Sequence, residues 1–255
     1  MRADPLSGRR AVITGASRGI GAAVAARLAQ GGAATVLIGR DSKALADQTA
    51  RIANSTAAIC DVTDAAQVQK VFSQLLQHGM IDILINNAGA AASAPFLRTD
   101  DSLVERMLSV NLLSAFRCAR AVLPAMLEHG YGRIVNVASI AGLRGYPYVT
   151  AYVAAKHALV GLTRALAIEV VQKGITVNAV CPSYTDTQLV RGAAAAISAK
   201  TGRSEADVVQ EIVRTNPQRR MIQPEEIAET VAWLCGPDTD SITGQAIPIA
   251  GGEIM

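Results

Sequence analysis

A glycine-rich turn that joins an apolar strand to a helix is the feature that most restricts how this chain can fold. The elements around it, in order, are a strand at 10–14, the turn at 15–21, an alanine-rich helix at 22–30 and a strand at 34–39. A strand, a tight turn, a helix and a second strand within about thirty residues form a βαβ unit, in which the two strands are parallel. The chain is therefore expected to build its sheet from parallel strands.

The alternation of strands and helices continues over most of the chain. Apolar runs predict further strands at 56–60, 81–85, 133–138, 175–180 and 245–249, and helical patterns lie at 64–77, 102–128, 150–172 and 225–234. Strands that are apolar throughout are covered by helices on both faces. We therefore predict one α/β domain, 1–255, with a Rossmann-like, doubly wound parallel sheet of about seven strands and helices on both faces. Residues 183–222 interrupt the alternation, and we expect them to form a substrate lid.

The composition disfavours several classes of function. The 255 residues carry a net charge of +3 and no basic stripe of the kind that binds nucleic acid. The four cysteines are scattered without metal-binding spacing, so we expect free thiols, no metal site and a cytoplasmic protein. We find no apolar signal segment at the start and no apolar run approaching the about 20 residues that cross a bilayer. We therefore expect a small-molecule substrate, and neither nucleic acid nor a membrane as partner.

Three polar residues near the predicted strand 133–138 suggest a proton-transfer site. Ser139 follows that strand, while Tyr152 and Lys156 are four residues apart in the next helix and so share one face. The phenol of a free Tyr has a pKa near roughly 10, and a neighbouring ammonium lowers that value by stabilising the phenolate. Taken alone, the pair is more often a core Tyr beside a solvated Lys, so the interpretation depends on further motifs.

The glycine turn has the spacing Gly-x-x-x-Gly-x-Gly. Gly15, Gly19 and Gly21 permit a tight turn, a close approach of the backbone and a pyrophosphate at the N terminus of a helix. The alternative is a glycine-rich turn without a ligand, which the position directly after the first strand disfavours. The lack of a Gly-Lys-Ser/Thr sequence excludes a nucleoside triphosphate loop here.

Together these motifs resemble those of the short-chain dehydrogenases/reductases, over nearly the whole chain. The motifs are Thr14-Gly15-x-x-x-Gly19-Ile20-Gly21, Asn86-Asn87-Ala88-Gly89, Asn111, Ser139 and Tyr152-x-x-x-Lys156. By this resemblance Tyr152 is the general acid/base, Ser139 polarises the substrate carbonyl, and Lys156 lowers the Tyr pKa and binds the nicotinamide ribose. Asn111 would hold a water molecule in the proton relay.

The resemblance also implies a nicotinamide dinucleotide cofactor. The residues expected to bind it are Gly15, Ser17, Arg18, Gly19, Ile20, Gly21, Arg40, Asp61, Val62, Asn87, Ala88, Gly89, Tyr152, Lys156, Pro182, Ser183, Thr185 and Thr187. Asn87 to Gly89 would flank the adenosine ribose, and Asp61 would meet the adenine amino group. Arg40 and Arg18 favour the 2′-phosphate of NADP, whereas Asp41 tempers that preference. We predict NADP(H) as the preferred cofactor, with NAD as the alternative.

One position departs from the family pattern, which has Pro-Gly-x-x-x-Thr after the strand that begins at residue 175. Here Pro182 is followed by Ser183, although Thr187 keeps its place. In one interpretation Ser183 has an ordinary backbone and narrows the substrate pocket. In the other it is strained and shifts the nicotinamide. We favour the first.

These features predict an enzyme that interconverts a ketone and a secondary alcohol. The segments 178–182 and 219–228 resemble those of acyl-thioester reductases and polyketide ketoreductases, which suggests a 3-oxoacyl thioester as one substrate. The arginines of the lid either meet the phosphates of a coenzyme A or carrier-protein arm or are solvated; they are Arg214, Arg219 and Arg220. The alternatives are an NAD-dependent secondary-alcohol or 3-hydroxyacyl dehydrogenase and a nucleotide-sensing binding protein.

The resemblance further implies a homotetramer or a homodimer. In the family, the helices that carry the Asn and the Tyr/Lys pair pack together between subunits. Here one face of the helix at 150–172 carries only small residues, Ala154, Ala158 and Gly161, which permits close approach of a helix from another subunit. The alternative is that this face packs within its own subunit. Trp233, in an apolar helix, is predicted to lie in the core.

Overall fold

Seven parallel strands form one sheet in the computed structural model, which describes residues 4–254 except for the side chain of Leu189. The strands are β1 (Arg10–Thr14), β2 (Ala34–Gly39), β3 (Ser55–Ile59), β4 (Ile83–Asn86), β5 (Gly132–Val137), β6 (Ile175–Pro182) and β7 (Ala246–Ile249). Their order is β3-β2-β1-β4-β5-β6-β7, and every neighbouring pair is parallel. The predicted doubly wound sheet is confirmed. Residues 1–3 and 255, which the predicted domain includes, lie outside the described part.

Helices cover both faces of the sheet. In the described residues they are α1 (Gly19–Gln30), α2 (Ser42–Thr49), α3 (Ala65–Gln77), α4 (Asp101–Leu108), α5 (Ser114–His129), α6 (Thr150–Val170), α7 (Gln188–Thr201), α8 (Glu205–Ile212) and α9 (Pro224–Leu234). Successive side chains of a strand point to opposite faces. Ile13 of β1 therefore packs in the core with α1 and α9, whereas Val12 packs in the core with α3, α5 and α6.

The long helix predicted at 102–128 contains a π-helical turn at Ser109–Leu113, between α4 and α5. The segment Asp101–His129 is long and apolar enough to cross a membrane by length and composition alone, with a mean hydropathy of 1.3 over an 18-residue window. The expectation concerned uninterrupted apolar runs, and Arg106 and Arg117 interrupt this segment. Its packing, however, is that of a core helix, since Cys118, Val122 and Met126 are buried against the sheet.

Two further predictions about elements were incomplete or wrong. Helix α2 was not predicted, because its polar sequence has little apolar periodicity; it begins at the cap Asp41, whose carboxylate accepts the Ala44 N–H at 3.0 Å. Trp233 is 52% exposed, so its predicted place in the core is wrong. Helix α9 instead turns Ile227 and Val231 toward α1.

The segment between β6 and α9 stands outside the sheet. It contains α7, α8 and a 3₁₀ turn at Val213–Thr215, and it follows the carboxyl end of β6. In open α/β sheets the ligand crevice lies at the carboxyl ends of the strands. The segment is therefore close to the place where a substrate would bind.

Candidate active site

A cleft of about 700 Å³ opens at the carboxyl ends of the strands, where the strand order reverses between β1 and β4. It brings together residues predicted from distant parts of the chain, namely Gly15, Ser17, Arg18, Gly19, Ile20, Arg40, Asp61, Val62, Asn87, Ala88, Gly89, Asn111, Tyr152, Lys156 and Thr187. The predicted residues that do not line it are Gly21, Ser139, Pro182, Ser183 and Thr185. Gln188 and Val110, which sequence reasoning missed, also lie in its wall.

The glycine turn leaves room for a ligand at the start of α1. Gly15 and Gly19 have φ values of +65° and +56°, in the region that favours glycine. A Cβ on Gly21 would lie 2.5 Å from the Gly15 carbonyl oxygen, so Gly21 allows α1 to pack on the turn rather than lining the cleft. The N terminus of α1 has no side-chain cap, which leaves backbone N–H groups open to an anion. The turn fits a pyrophosphate.

Thr14 ties this turn to the loop after β4. Its Oγ1 accepts the backbone N–H groups of Asn87 and Ala88, both at 3.0 Å, and donates to the Ile85 carbonyl at 3.3 Å. The Asn87 side chain in turn donates to the carbonyls of Thr14 and Gly15 at 2.9 and 3.1 Å. Sequence reasoning gave Thr14 no role of its own. The only signal was a polar residue ending a buried strand.

Charged residues gather at the end of the cleft beside β2 and β3. Arg40 has a 78% exposed side chain, and its Nη1 lies 3.6 Å from Asp61 Oδ2. Burial alone would raise the pKa of Asp61, but hydrogen bonds from Thr63 and the Arg40 charge hold it below its usual value. Arg18 is exposed at the rim and donates to Gln188 at 2.9 Å. Asp41, which the sequence analysis weighed against a preference for NADP, lines the cleft and also caps α2.

Ser139, Tyr152 and Lys156 meet beside the opposite end of the cleft. Lys156 is 4% exposed, and its Nζ donates to the Val137 carbonyl at 2.9 Å and lies 5.7 Å from the centroid of the Tyr152 ring. Burial lowers the pKa of Lys156 to about 8. Burial raises the pKa of Tyr152, and a hydrogen bond with Ser139 opposes the rise. The predicted lowering of the Tyr pKa by Lys156 is therefore not found in this arrangement.

Asn111 lies buried in the π-helical turn and connects it to the loop after β4. Its Nδ2 donates to the carbonyls of Ala90 and Met107 at 2.9 and 3.0 Å. A Cβ on Gly89 would lie 2.8 Å from Asn111 Oδ1 and 3.6 Å from Lys156 Nζ. Gly89 thus leaves open the space between the amide and the ammonium, where a water molecule of a proton relay would have polar partners.

The loop after β6 has an ordinary backbone at Ser183, as the favoured interpretation expects. Within residues 4–254 the non-glycine residues with positive φ are Asn54, Tyr148 and Arg219, so the strained alternative for Ser183 is wrong. Its hydroxyl donates to Glu253 at 2.6 Å instead of facing the cleft. Thr185 is buried and donates to the Ser183 carbonyl at 2.9 Å.

Thr187 does reach the cleft. It caps α7 by accepting the Val190 N–H at 3.4 Å, and its methyl group would lie 3.2 Å from a Cβ on Gly19. Of residues 182–187, Thr187 is the one that lines the cleft in the described part of the chain.

The arginines proposed to meet phosphates in the lid are partly engaged elsewhere. Arg220 pairs with Glu226 through two contacts of 2.6 and 2.7 Å, and Arg214 lies 3.1 Å from Glu211. Arg219 donates to the Arg214 carbonyl at 2.7 Å and has no carboxylate partner among the described residues. Of the three, Arg219 is the most available to an anion.

Comparison with known proteins explains this arrangement. Residues 15–253 match a family model described as enoyl-(acyl carrier protein) reductase. The chain belongs to the short-chain dehydrogenase/reductase family. Its relatives in the family include a protein of Streptomyces violaceoruber named as a ketoacyl reductase of the granaticin polyketide synthase, 36% identical over 95% of this chain and 92% of the relative. D-beta-hydroxybutyrate dehydrogenase of Rhizobium meliloti is also 36% identical, over 96% of this chain and 98% of the relative.

Solved structures of the family extend the similarity to three dimensions. A variant of actinorhodin polyketide ketoreductase, crystallised with NADPH, has a TM-score of 0.92 and 34% identity, over 96% of this chain and 97% of the other. A short-chain dehydrogenase/reductase transfers hydride between a nicotinamide cofactor and a carbon that carries oxygen. This chain is therefore an NAD(P)-dependent oxidoreductase that acts on CH–OH groups.

Proposed function

We propose that this protein is an NADP(H)-dependent reductase that interconverts a ketone, in particular a 3-oxoacyl thioester, and a secondary alcohol. The observation that carries the proposal is the meeting of Ser139, Tyr152 and Lys156 beside one end of a cleft whose wall also carries the glycine turn. The cofactor supplies the hydride when bound, and the chain supplies orientation and the proton.

In this mechanism Tyr152 donates its phenolic proton to the carbonyl oxygen of the substrate. The Ser139 hydroxyl donates a hydrogen bond to the same oxygen and stabilises the charge that develops there. Burial raises the pKa of Tyr152, so the phenol is protonated near neutral pH and can act as the general acid. Lys156 and Asn111, on either side of the space at Gly89, return a proton to Tyr152 through water.

The preference for NADP(H) rests on two guanidinium groups at the adenosine end of the cleft. Arg40 is largely exposed and Arg18 lies at the rim, so both guanidinium groups could turn from their contacts with Asp61 and Gln188 to a 2′-phosphate. Asp41, which would favour NAD, is used as a helix cap. The solved ketoreductase carries NADPH. The remaining cofactor contacts that we propose are the glycine turn with pyrophosphate, Asn87 to Gly89 with the adenosine ribose, and Lys156 with the nicotinamide ribose.

The substrate class rests on the names of relatives and on the lid. The ketoacyl reductase and the ketoreductase act on ketones by name. We assign residues 183–222 as the lid, in which Arg219 is the cation best placed for a phosphate of a thioester arm. The second candidate is an NAD-dependent 3-hydroxyacyl or secondary-alcohol dehydrogenase. The hydroxybutyrate dehydrogenase relative and the contact of Arg40 with Asp61 favour it.

The experiment is a substrate panel on the purified protein, with NADPH and NADH. The panel contains a 3-oxoacyl thioester, a simple diketone, an enoyl thioester and a secondary alcohol. We expect ketone reduction with NADPH, lost in Tyr152→Phe while NADPH still binds; Tyr131→Phe, at the opposite end of the sheet, is the matched control. Retention of a tenth or more of the turnover by Tyr152→Phe contradicts the mechanism, and NADPH binding without any turnover favours a nucleotide-sensing protein.

We also propose a cytoplasmic homotetramer or homodimer. Gly161 of α6 faces open space and Ala154 is exposed, which leaves room on this face for a second subunit. Ile168 on the same helix is 78% exposed, and Phe116 of α5 is also exposed. Apolar surface of this kind is usually covered by another subunit. The location in the cytoplasm is supported by four cysteines that are all free and buried.

A further inference from the structure

Glu253, near the carboxyl terminus, gathers hydroxyl groups from three separate segments. Its Oε2 accepts a hydrogen bond from Ser183 Oγ at 2.6 Å. Its Oε1 accepts hydrogen bonds from Tyr146 Oη at 3.1 Å and from Thr215 Oγ1 at 2.9 Å. Neither the motifs nor the cleft lining include Glu253. Hydrogen bonds to an ionised carboxylate are stronger than those between neutral groups, so this side chain holds the three segments together.

The three segments belong to the lid and to the loops that adjoin the proposed catalytic helix and β6. Ser183 follows β6, Tyr146 precedes the helix that carries Tyr152, and Thr215 ends the 3₁₀ turn of the lid. Burial has the largest effect on the pKa of Tyr152, and Tyr184, next to Ser183, raises it further. Burial also has the largest effect on the pKa of Tyr184, and the charge of Glu253 raises it further. Glu253 therefore contacts the residue next to Tyr184, and it does not line the cofactor cleft.

The backbone before Glu253 is shaped to seat it against the lid. Gly251 and Gly252 have φ values of +57° and +89°, which other residues rarely adopt. A Cβ on Gly251 would lie 2.6 Å from Asn216 Oδ1, and a Cβ on Gly252 would lie 3.3 Å from Pro217. Asn216 and Pro217 directly follow Thr215, so the terminal turn and the end of the lid pack together without space for a side chain.

We propose that Glu253 is a positioning residue that fixes the end of the lid to the loops on either side of Tyr152 and thereby shapes the ketone pocket. The proposal rests on the proposed function of the site. Ser183, which stands where the family has glycine, then has a defined role: its hydroxyl supplies one of the contacts to Glu253 that a glycine would lack. Thr215 carries the same carboxylate contact into the lid.

The test compares Glu253→Gln, Ser183→Ala and the double variant in the full-length protein. We expect KM for the ketone to rise about tenfold in Glu253→Gln, the effect of losing about 1.4 kcal/mol of charge-assisted hydrogen bonding. We expect kcat to change less than KM, and Kd for NADPH to stay unchanged. Because Ser183 and Glu253 share a contact, KM for the ketone in the double variant should rise by less than the product of the increases in the two single variants. Glu128→Gln, exposed near the end of α5, is the matched control.

Amide hydrogen exchange of residues 205–217 gives a readout that does not depend on turnover. Faster exchange there in Glu253→Gln, with the rest of the sheet unchanged, supports the proposal. If Glu253→Gln changes neither KM for the ketone nor amide exchange in the lid, the proposal is overturned. It is also overturned if the increases in KM of the two single variants multiply in the double variant. If the unmodified protein turns over none of the panel, the proposed function fails, and hydrogen exchange alone decides whether Glu253 holds the lid.

Discussion

Two buried threonines on neighbouring strands should respond in opposite ways to the same substitution. Thr14 Oγ1 serves as acceptor for two backbone N–H groups, of Asn87 and Ala88, whereas Thr35 Oγ1 is buried and has no hydrogen-bond partner among the described residues. Thr14→Val leaves both N–H groups without their acceptor, at about 1–3 kcal/mol for each buried group. Because both hydrogen bonds are only partly buried, we expect Thr14→Val to lower the free energy of unfolding by about 2–4 kcal/mol in total.

Thr35→Val is the matched control, since Thr35 is 1% exposed and loses no partner. Removing its unpaired hydroxyl should leave the free energy of unfolding unchanged or raise it by about 1 kcal/mol. Urea unfolding followed by circular dichroism gives the free energy of unfolding of both variants at one protein concentration. In thermal unfolding, Thr14→Val should lower Tm by roughly 4–16 °C. Thr14→Val should also weaken NADPH binding, because Asn87 moves. Equal losses of stability in the two variants would refute the reasoning.

Three further predictions concern the cofactor, the buried ammonium and the assembly. Arg40→Ala should raise KM for NADPH and leave KM for NADH nearly unchanged, since only NADPH carries the 2′-phosphate. Equal effects on the two KM values would show that Arg40 does not bind the 2′-phosphate. Burial lowers the pKa of Lys156 from 10.5 to about 8, so the unfolded chain binds more protons between those values. The free energy of unfolding should then rise with pH across that window, by up to about 3 kcal/mol, and this rise should be missing in Lys156→Met. Sedimentation should show a dimer or tetramer that Ile168→Glu dissociates, whereas a concentration-independent monomer contradicts the assembly.

Local sequence patterns were enough to predict the order of strands and helices. Apolar runs mark buried strands, and glycines mark the turns that follow them, so each strand was predicted within two residues of its observed bounds. The apolar pattern missed two features that hydrogen bonds accompany, one local and one tertiary. Helix α2 begins at the local cap of Asp41 on Ala44, and the π-helical turn is joined to the loop after β4 by hydrogen bonds between Asn111 and Ala90. Neither contact changes the periodicity that a sequence shows.

The sequence by itself determined the parallel sheet, the glycine turn and the residue types that meet in the cleft, because each is encoded within about thirty residues of chain. Only the tertiary structure decided their partners and their protonation. Thr14 contacts Asn87, 73 residues away in the sequence, and Ser183 contacts Glu253, 70 residues away, and a local motif carries no information about such partners. The pKa of Tyr152 is likewise raised by burial rather than lowered by Lys156. Desolvation depends on everything packed around a group, which a local motif does not specify.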